Sequence, residues 1–296
     1  MNSNIIRLIR PHQWLKNMFV LTPLFFDRHA TDWCYVRPCM LAFLAFCMAA
    51  SGVYCFNDIH DADADRRHPV KRLRPVASGA VSKPLAYAVM AALWMLAFVL
   101  MALGSFGSRG AQAGLAVTLL LYVMLNVAYT VRLKHIAILD VFIIATGFVL
   151  RTVAGGLSTG ISLSHWIVLI TFLLALFLSL AKRRDDVAIF EASGVTTRRA
   201  AGRYNMDFLM AAIGIMGSVT IMCYILYTVS DDVVSRVGSP YLYATSVFVL
   251  AGILRYMQVT FVDHQSGSPT QVLLRDHFIH ACIVGWIAVF AIILYM

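Results

Sequence analysis

Residues 35–65 have the sequence YVRPCMLAFLAFCMAASGVYCFNDIHDADAD, an apolar run that passes directly into a cluster of acidic residues. The apolar part, 35–57, has about the length that an α-helix needs to cross the hydrocarbon core of a bilayer. The acidic part begins at the edge of this predicted span. The stretch therefore predicts a membrane helix that presents carboxylates at one of its ends.

The composition of the whole chain is typical of a membrane protein. The 296 residues are 60% hydrophobic and only 13% charged, with a mean hydropathy of +0.77. A soluble domain has about 25% charged residues. The net charge of +9 does not indicate nucleic-acid binding, because the Lys and Arg residues separate apolar segments. The six cysteines include no CxxC pair, and we predict that they are small buried apolar side chains. The polar, basic N-terminus predicts no cleavable signal peptide.

Nine segments are long and apolar enough to predict membrane spans. They are 14–30, 35–57, 83–104, 112–131, 137–157, 164–182, 207–229, 240–260 and 277–296. The first is short and contains Pro23. The sequence therefore predicts an all-α membrane protein, a bundle of about nine transmembrane helices in a single domain, 1–296.

Basic residues are distributed unequally between the two sets of helix ends. Nineteen of the 24 Lys and Arg residues lie at the ends that include the N-terminus and the loops 58–82 and 183–206. Four lie at the opposite ends, and Arg151 lies inside a span. Because cytoplasmic loops are enriched in Lys and Arg, this predicts a multi-pass protein of the inner (plasma) membrane with a cytoplasmic N-terminus. Nine spans would then place the C-terminus outside.

The acidic cluster has helical spacing. Asn57, Asp61 and Asp65 are four residues apart, and Asp58 joins the same face. These four residues are called the acidic stripe below. Carboxylates on one face repel each other unless a cation lies between them, and Mg²⁺ is commonly held by carboxylates together with substrate phosphates. We therefore predict that the stripe binds Mg²⁺, with Mn²⁺ as an alternative ion. A solvated acidic loop is the competing interpretation, but such a loop does not require this spacing.

Basic residues follow the acidic stripe closely. Lys71 and Arg74 lie in a segment with Pro69, Pro75 and Gly79, which predicts a shaped loop. Lys and Arg can bind the oxygens of a diphosphate that a metal leaves uncovered. The acidic and basic clusters together therefore predict a metal-diphosphate site, although each basic residue alone is also explained as a positive charge of a cytoplasmic loop.

Further polar residues lie near or within the predicted spans. Lys134 follows the fourth span and is a predicted phosphate ligand, with Tyr129 five residues before it. A topology charge and an interfacial tyrosine are the alternatives for these two residues. Arg151 lies within the fifth span, where a charge is costly, so its partner is either a bound anion or a structural carboxylate. The sixth span is predicted to end at KRRDD, 182–186, where Asp186 is a candidate ligand of a second metal.

The motif NDxxDxxxD at 57–65, which ends a second span, resembles the UbiA superfamily of intramembrane prenyltransferases. Within this superfamily the chain is most similar to the decaprenyl-phosphate phosphoribosyltransferase branch, and the resemblance covers nearly the whole chain. The segments that carry it are RPHQWLKN (10–17), DRRHPVKRLRP (65–75), RLKH (132–135), GFVLRTVAGG (147–156) and KRR (182–184).

The resemblance implies a helical bundle around a central cavity that is open to the cytoplasmic side and to lipid. It also implies that the acidic stripe binds a diphosphate through Mg²⁺, with Asp58, Asp61 and Asp65 as catalytic residues. The substrate-binding residues that we expect are Asn57, Lys16, Lys71, Arg74, Tyr129, Lys134, Arg151, Lys182, Arg183 and Asp186.

The resemblance also bears on the substrates. Aromatic prenyltransferases of the superfamily usually carry a second motif of the DxxxD kind on the sixth span, where this chain has KRRDD. Additional cations suit two phosphate-bearing substrates. The resemblance therefore implies Mg²⁺-dependent transfer of 5-phosphoribose from phosphoribosyl pyrophosphate to a polyprenyl phosphate, in the synthesis of a cell-envelope glycan precursor.

Two other functions are kept as alternatives. A polyprenyl diphosphate:aromatic acceptor prenyltransferase would have the same first motif. A lipid-phosphate or cation transporter is a remote alternative, because the sequence shows no clear internal repeat and most of its charge lies at one face. Association into homo-oligomers through helix faces is left open.

Overall fold

The computed structural model describes residues 2–67, 71–104, 109–193, 204–262 and 269–295, and these ranges contain helices and their connections but no strand. The α-helices are α1 Asn2–Ile9, α2 Thr22–Phe26, α3 Trp33–His60, α4 Ala62–Arg66, α5 Lys83–Leu103, α6 Arg109–Val131, α7 Leu139–Thr159, α8 His165–Ser193, α9 Met206–Val229, α10 Asp231–Val237, α11 Ser246–Phe261, α12 Pro269–Arg275 and α13 His277–Tyr295. The 3₁₀-helices are η1 Pro11–Leu21, η2 Lys71–Leu73, η3 Leu133–His135 and η4 Pro240–Thr245. The predicted all-α fold is confirmed.

Eight segments of the described residues are long and apolar enough to cross a membrane. They are Trp33–His60, Lys83–Leu103, Arg109–Val131, Leu139–Thr159, His165–Ala188, Met206–Val229, Pro240–Phe261 and His277–Leu294. They coincide with eight of the nine predicted spans, so the chain is a multi-pass membrane protein. The sixth of the predicted spans was expected to end at residue 182, but α8 continues to Ser193.

The remaining predicted span, 14–30, is not a membrane-length α-helix. The chain forms the 3₁₀-helix η1 and then the five-residue helix α2. Pro11 and Pro23, which lack a backbone N–H, lie in the first turns of these two elements. Eight of the nine expected spans are therefore membrane-length helices in the described ranges, and the count of nine crossings stays a prediction.

η1 lies antiparallel along α3. At one end, Trp14 Nε1 donates to Ser51 Oγ at 2.9 Å, and at the other end Cys39 Sγ donates to the carbonyl oxygen of Val20 at 3.3 Å. Between them, Asn17 Nδ2 donates to the buried Sγ atom of Cys47 on α3 at 3.3 Å. A 3₁₀-helix has three residues per turn and rises about 2 Å per residue, so the eleven residues of η1 extend about 22 Å. The period of three explains why Trp14, Asn17 and Val20 share the face that contacts α3.

The chain divides into two compact units, Met1–Leu163 and Ser164–Met296. The single domain stays a prediction. In the first unit α3 is the central element and packs against η1, α5, α6 and α7. Small residues on α3, such as Ala45 and Ala49, are fully buried and permit this close approach. The outer faces of α5 and α6 expose large apolar side chains, which we expect to contact lipid.

The second unit packs α8 against α9, and α11 against α9 and α13. A buried polar group joins three of its elements: Tyr224 OH accepts from Trp286 Nε1 at 2.6 Å and hydrogen-bonds the Thr245 hydroxyl at 2.7 Å. Arg255 Nε and Nη2 both donate to Asp276 Oδ2, at 3.0 and 2.8 Å. This pair links α11 to the start of α13. All six cysteines are free, and four of them are buried, as predicted for most of them.

Candidate functional site

The acidic stripe lies where α3 ends and α4 begins. Helical hydrogen bonds continue across this junction, because Asp61 N–H donates to the Asn57 carbonyl at 2.9 Å and Asp65 N–H donates to the Asp61 carbonyl at 2.8 Å. The four-residue spacing predicted from the sequence is therefore retained through the turn at Asp61. Asp63 lies outside this face and forms an exposed pair with Arg66 at 2.5 Å.

Asp58 is the most buried member of the stripe, with no exposed surface. Its Oδ1 accepts from Arg10 Nη2 at 2.5 Å, and Arg74 Nη1 lies 3.6 Å from the same oxygen. Its Oδ2 is buried and has no hydrogen-bond partner in the described residues. Arg74 Nη1 also donates to Asp65 Oδ2 at 2.7 Å. Asp58 and Asp65 therefore face one point, which the guanidinium of Arg74 occupies.

Asp61 is paired with a different cation. Lys134 Nζ, carried by η3, donates to Asp61 Oδ1 at 2.6 Å, and His60 Nδ1 lies 3.1 Å from the same oxygen. Burial alone would raise the pKa of Asp61, but the hydrogen bonds and charges of Lys134 and His60 outweigh burial and hold the pKa below its usual value. Asp61 is therefore ionised at neutral pH, as a metal ligand must be.

Asn57 is oriented by α6. The Thr130 hydroxyl, which is almost fully buried, hydrogen-bonds the side-chain oxygen of Asn57 and also lies 2.9 Å from the Asn126 carbonyl oxygen. Tyr129 is the neighbour of Thr130 near the end of α6. Lys71 begins η2, and its carbonyl accepts from Arg74 N–H at 2.9 Å, so η2 fixes the backbone that carries Arg74.

Arg151 lies in the middle of α7 and is 6% exposed. It donates from Nε to Asn17 Oδ1 at 2.7 Å, from Nη1 to the Gly147 carbonyl at 2.8 Å and from Nη2 to Tyr122 OH at 2.8 Å. Its guanidinium also lies 4.8 Å from the centre of the Tyr122 ring. No carboxylate in the described ranges pairs with it. The sequence predicted that either a bound anion or a structural carboxylate would pair with Arg151. The described residues provide no such carboxylate.

The predicted residues of the sixth span lie in the second unit. Lys182, Arg183 and Asp186 are all within α8 and do not mark its end, which corrects the prediction of a helix terminus there. Arg183 Nη1 and Asp186 Oδ2 are 2.5 Å apart. Residues three apart on an α-helix are neighbours on its surface, so the continuation of α8 brings the two charges together.

The stripe can hold a metal only after its cations move. Within the described residues, no group of three His, Cys, Asp or Glu side chains is already assembled around one point. The carboxylates of Asp58, Asp61 and Asp65 instead face Arg10, Arg74 and Lys134. Oxygen donors of this kind are the ligands that Mg²⁺ prefers, and the unpaired Asp58 Oδ2 is a donor ready for one. The residues therefore fit a hard divalent cation that arrives with an anion able to take over the displaced basic side chains.

Two residues of this network were not predicted as site residues. The sequence indicated only a topology charge at Arg10 and no separate role for Thr130 beside Tyr129. Arg10 has a left-handed backbone conformation, with φ 56° and ψ 61°, at the junction of α1 and η1. The segment 10–17 carries part of the family resemblance, and this is the signal that could have identified Arg10.

The chain is similar to known proteins over nearly its whole length. The model of the UbiA prenyltransferase family matches residues 19–294. The decaprenyl-phosphate phosphoribosyltransferase of Mycolicibacterium smegmatis is 31% identical, over 99% of this chain and 93% of that protein. The enzyme of the same name from Mycobacterium tuberculosis is 33% identical, over 97% of this chain and 92% of that protein.

A solved structure supports the fold. A UbiA homologue from Archaeoglobus fulgidus, determined with GPP and Mg²⁺ bound, superposes with a TM-score of 0.69 and 17% sequence identity, over 99% of this chain and 100% of that one. The superfamily predicted from the motif at 57–65 is confirmed by the family model and by the relatives. The family match, the relatives and the shared fold lead to one conclusion: this chain belongs to the UbiA prenyltransferase family, and it is a transferase.

Proposed function

We propose that this enzyme transfers 5-phosphoribose from phosphoribosyl pyrophosphate to a polyprenyl phosphate and releases diphosphate. The observation that carries the proposal is the pairing of three stripe carboxylates with three basic side chains, which provides ligands for both a metal and a diphosphate. The relatives named above support the choice of phosphoribose as the transferred group.

Asn57, Asp58, Asp61 and Asp65 would hold Mg²⁺, for which Mn²⁺ is a substitute. The ion would supply positive charge that stabilises the departing diphosphate. Arg74 and Lys134 would then leave the carboxylates and bind diphosphate oxygens. Both side chains already contact the stripe, so a diphosphate bound there would lie within their reach. Arg10 would remain paired with Asp58 Oδ1.

The bond changes need no general base. An oxygen of the polyprenyl phosphate attacks the anomeric carbon of the ribose, and the bond from that carbon to the diphosphate oxygen breaks. The attacking oxygen is already anionic, so no proton has to be removed from it. The contribution of the chain is to orient the two substrates and to stabilise the charge that develops on the leaving group.

We infer that the stripe faces the cytoplasm of a plasma-membrane protein. The N-terminus lies at the same end, because Leu8 packs with Cys55 and Ile59 of α3. Because η1 runs along much of α3, we infer that the chain crosses the bilayer once before α3 begins. The C-terminus would then be outside, and homo-oligomer formation stays a prediction.

The substrate assignment is tested with purified protein and two substrate pairs. One reaction contains labelled phosphoribosyl pyrophosphate, a polyprenyl phosphate and Mg²⁺, and label is followed into the organic phase, with EDTA as the control. The other contains a polyprenyl diphosphate and a hydroxybenzoate acceptor. We expect lipid-soluble label in the first reaction alone. Prenylated hydroxybenzoate without phosphoribosyl lipid would instead support the aromatic prenyltransferase alternative.

Thr130 provides a test of how the stripe is oriented. Thr130→Val keeps the shape of the side chain but removes the hydroxyl that contacts Asn57. Outer hydrogen bonds of this kind typically change metal affinity or activity by about 10- to 100-fold. We expect the Mg²⁺ concentration for half-maximal rate to rise about tenfold, and Thr130→Ser to restore it. An unchanged Mg²⁺ dependence in Thr130→Val would show that Asn57 is not oriented from α6.

A further inference from the structure

We propose that Lys16 and Arg151 form a second anion site, separate from the acidic stripe, which binds a phosphate monoester without metal. The inference rests on the proposed function for its two candidate ligands. These are the phosphate of the polyprenyl acceptor and the 5-phosphate of phosphoribosyl pyrophosphate, and they share the same terminal phosphate chemistry.

Arg151 is a buried cation whose partners are all neutral. Its three hydrogen bonds go to an amide oxygen of Asn17, a backbone carbonyl and the Tyr122 hydroxyl. A guanidinium carries five N–H donors, so two remain for a ligand. A charge at this depth in a membrane protein is costly without an opposite charge, which indicates that an anion completes the site.

Lys16 adds a second cation to the same region. It directly precedes Asn17 on η1, and the side-chain oxygen of Asn17 accepts from Arg151 Nε at 2.7 Å, so the backbone brings Lys16 to the region of Arg151. Its ammonium makes no hydrogen bond or ion pair with the described residues, and its side chain is partly exposed.

The charge balance of this region favours an anion with two negative charges. Asp58 is the carboxylate that compensates Arg10, and Asp58 is also within 3.6 Å of Arg74. Lys16 and Arg151 are therefore left with two positive charges and no carboxylate of the described chain. A phosphate monoester is a dianion with three terminal oxygens at neutral pH, so it matches both the charge and the unused donors.

The site is displaced from the stripe along α3. Trp14 and Asn17, which flank Lys16, hydrogen-bond Ser51 and Cys47 of α3. These positions precede Asp58 by seven and eleven residues, which corresponds to about 10 and 16 Å along an α-helix. A diphosphate at the stripe and a monoester at Lys16 would therefore occupy different places. The site at Lys16 has no carboxylate, so a phosphate monoester bound there would not need a metal.

The test measures binding in EDTA, where the stripe cannot hold a metal. Microscale thermophoresis would follow two probes, ribose 5-phosphate and farnesyl phosphate, with ribose and farnesol as controls that lack the phosphate. We expect at least one phosphate to bind, and its affinity to fall about tenfold or more in Lys16→Gln. The probe that binds identifies the source of the monoester. Lys83→Gln, which removes a half-exposed lysine at another helix end, should bind like the unmodified protein.

Two outcomes would overturn the site: neither phosphate binds in EDTA, or Lys16→Gln binds the phosphate as tightly as Lys83→Gln does. Lys16 is the primary variant because it is partly exposed, whereas Arg151→Gln disturbs a buried network and is compared only if it remains folded. Failure of the proposed function is a distinct result, since phosphoribosyl transfer would then be absent while binding of a monophosphate in EDTA persisted.

Discussion

The substitution Asp61→Asn is expected to reduce the rate of transfer by about 10²- to 10³-fold at saturating Mg²⁺. The carboxylate of Asp61 is ionised because Lys134 and His60 hold its pKa low, and the amide that replaces it carries no charge for a metal. The same change removes the negative charge that Lys134 Nζ faces at 2.6 Å. The measurement is the initial rate across a Mg²⁺ titration, which separates weaker metal binding from slower chemistry.

Asp63→Asn is the matched control for this substitution. It makes the same chemical change two residues away, but the Asp63 side chain is 69% exposed and pairs with Arg66 outside the stripe. We expect its rate and Mg²⁺ dependence to match those of the unmodified protein. Equal losses in Asp61→Asn and Asp63→Asn would mean that general negative charge near α4 matters, and that the acidic stripe has no special role.

The substitution Gly155→Ala is expected to lower the free energy of unfolding by about 1–3 kcal/mol. A Cβ atom at this position of α7 would lie 2.0 Å from the carbonyl oxygen of Val20 and 2.9 Å from its carbonyl carbon. Both are backbone atoms of η1, so the 3₁₀-helix would have to move away from α7. That movement would also disturb the bond from Arg151 to Asn17. Thermal unfolding in detergent measures the loss.

Gly114→Ala is the comparison for this change. A Cβ at Gly114 of α6 would lie 3.6 Å from the side chain of Leu157, which is ordinary van der Waals contact. Alanine also favours a helix over glycine, so we expect a neutral or slightly stabilising effect. If Gly155→Ala were as stable as Gly114→Ala, η1 would not pack against α7 as closely as the structure describes.

The sequence predicted the parts of the fold that are encoded by long, regular apolar runs. Eight spans were predicted near their positions in the structure, because a run of about twenty apolar residues is typical of a transmembrane helix. The 3₁₀ conformation of η1 was not predicted. Its signal is the three-residue spacing of Trp14, Asn17 and Val20, and such a spacing also occurs within ordinary α-helices. The partners on α3 that stabilise η1 come from about 20 to 40 residues later in the chain.

The candidate site was predicted where its residues are close in sequence. The acidic stripe could be recognised from its four-residue period, and Arg74 from its position soon after the stripe. Thr130 lies 73 residues from Asn57, and Arg10 lies 48 residues from Asp58, so only the packing of α1, η1, α3 and α6 brings these pairs together. The segment 182–186 was misplaced at a helix end because its charges suggested a loop, whereas ion pairs within α8 stabilise them in the helix.

The central claim is that the acidic stripe supports transfer of phosphoribose to a lipid phosphate, and a doubly labelled donor tests it most directly. Phosphoribosyl pyrophosphate would carry one label in the ribose and another in the diphosphate, and would be incubated with a polyprenyl phosphate, Mg²⁺ and the purified protein. The account predicts that the ribose label enters the organic phase while an equal amount of free diphosphate appears in water. It also predicts that Asp61→Asn, but not Asp63→Asn, lowers the rate of both by about 10²- to 10³-fold. Ribose label that stays in water, or diphosphate label that enters the lipid, would contradict it.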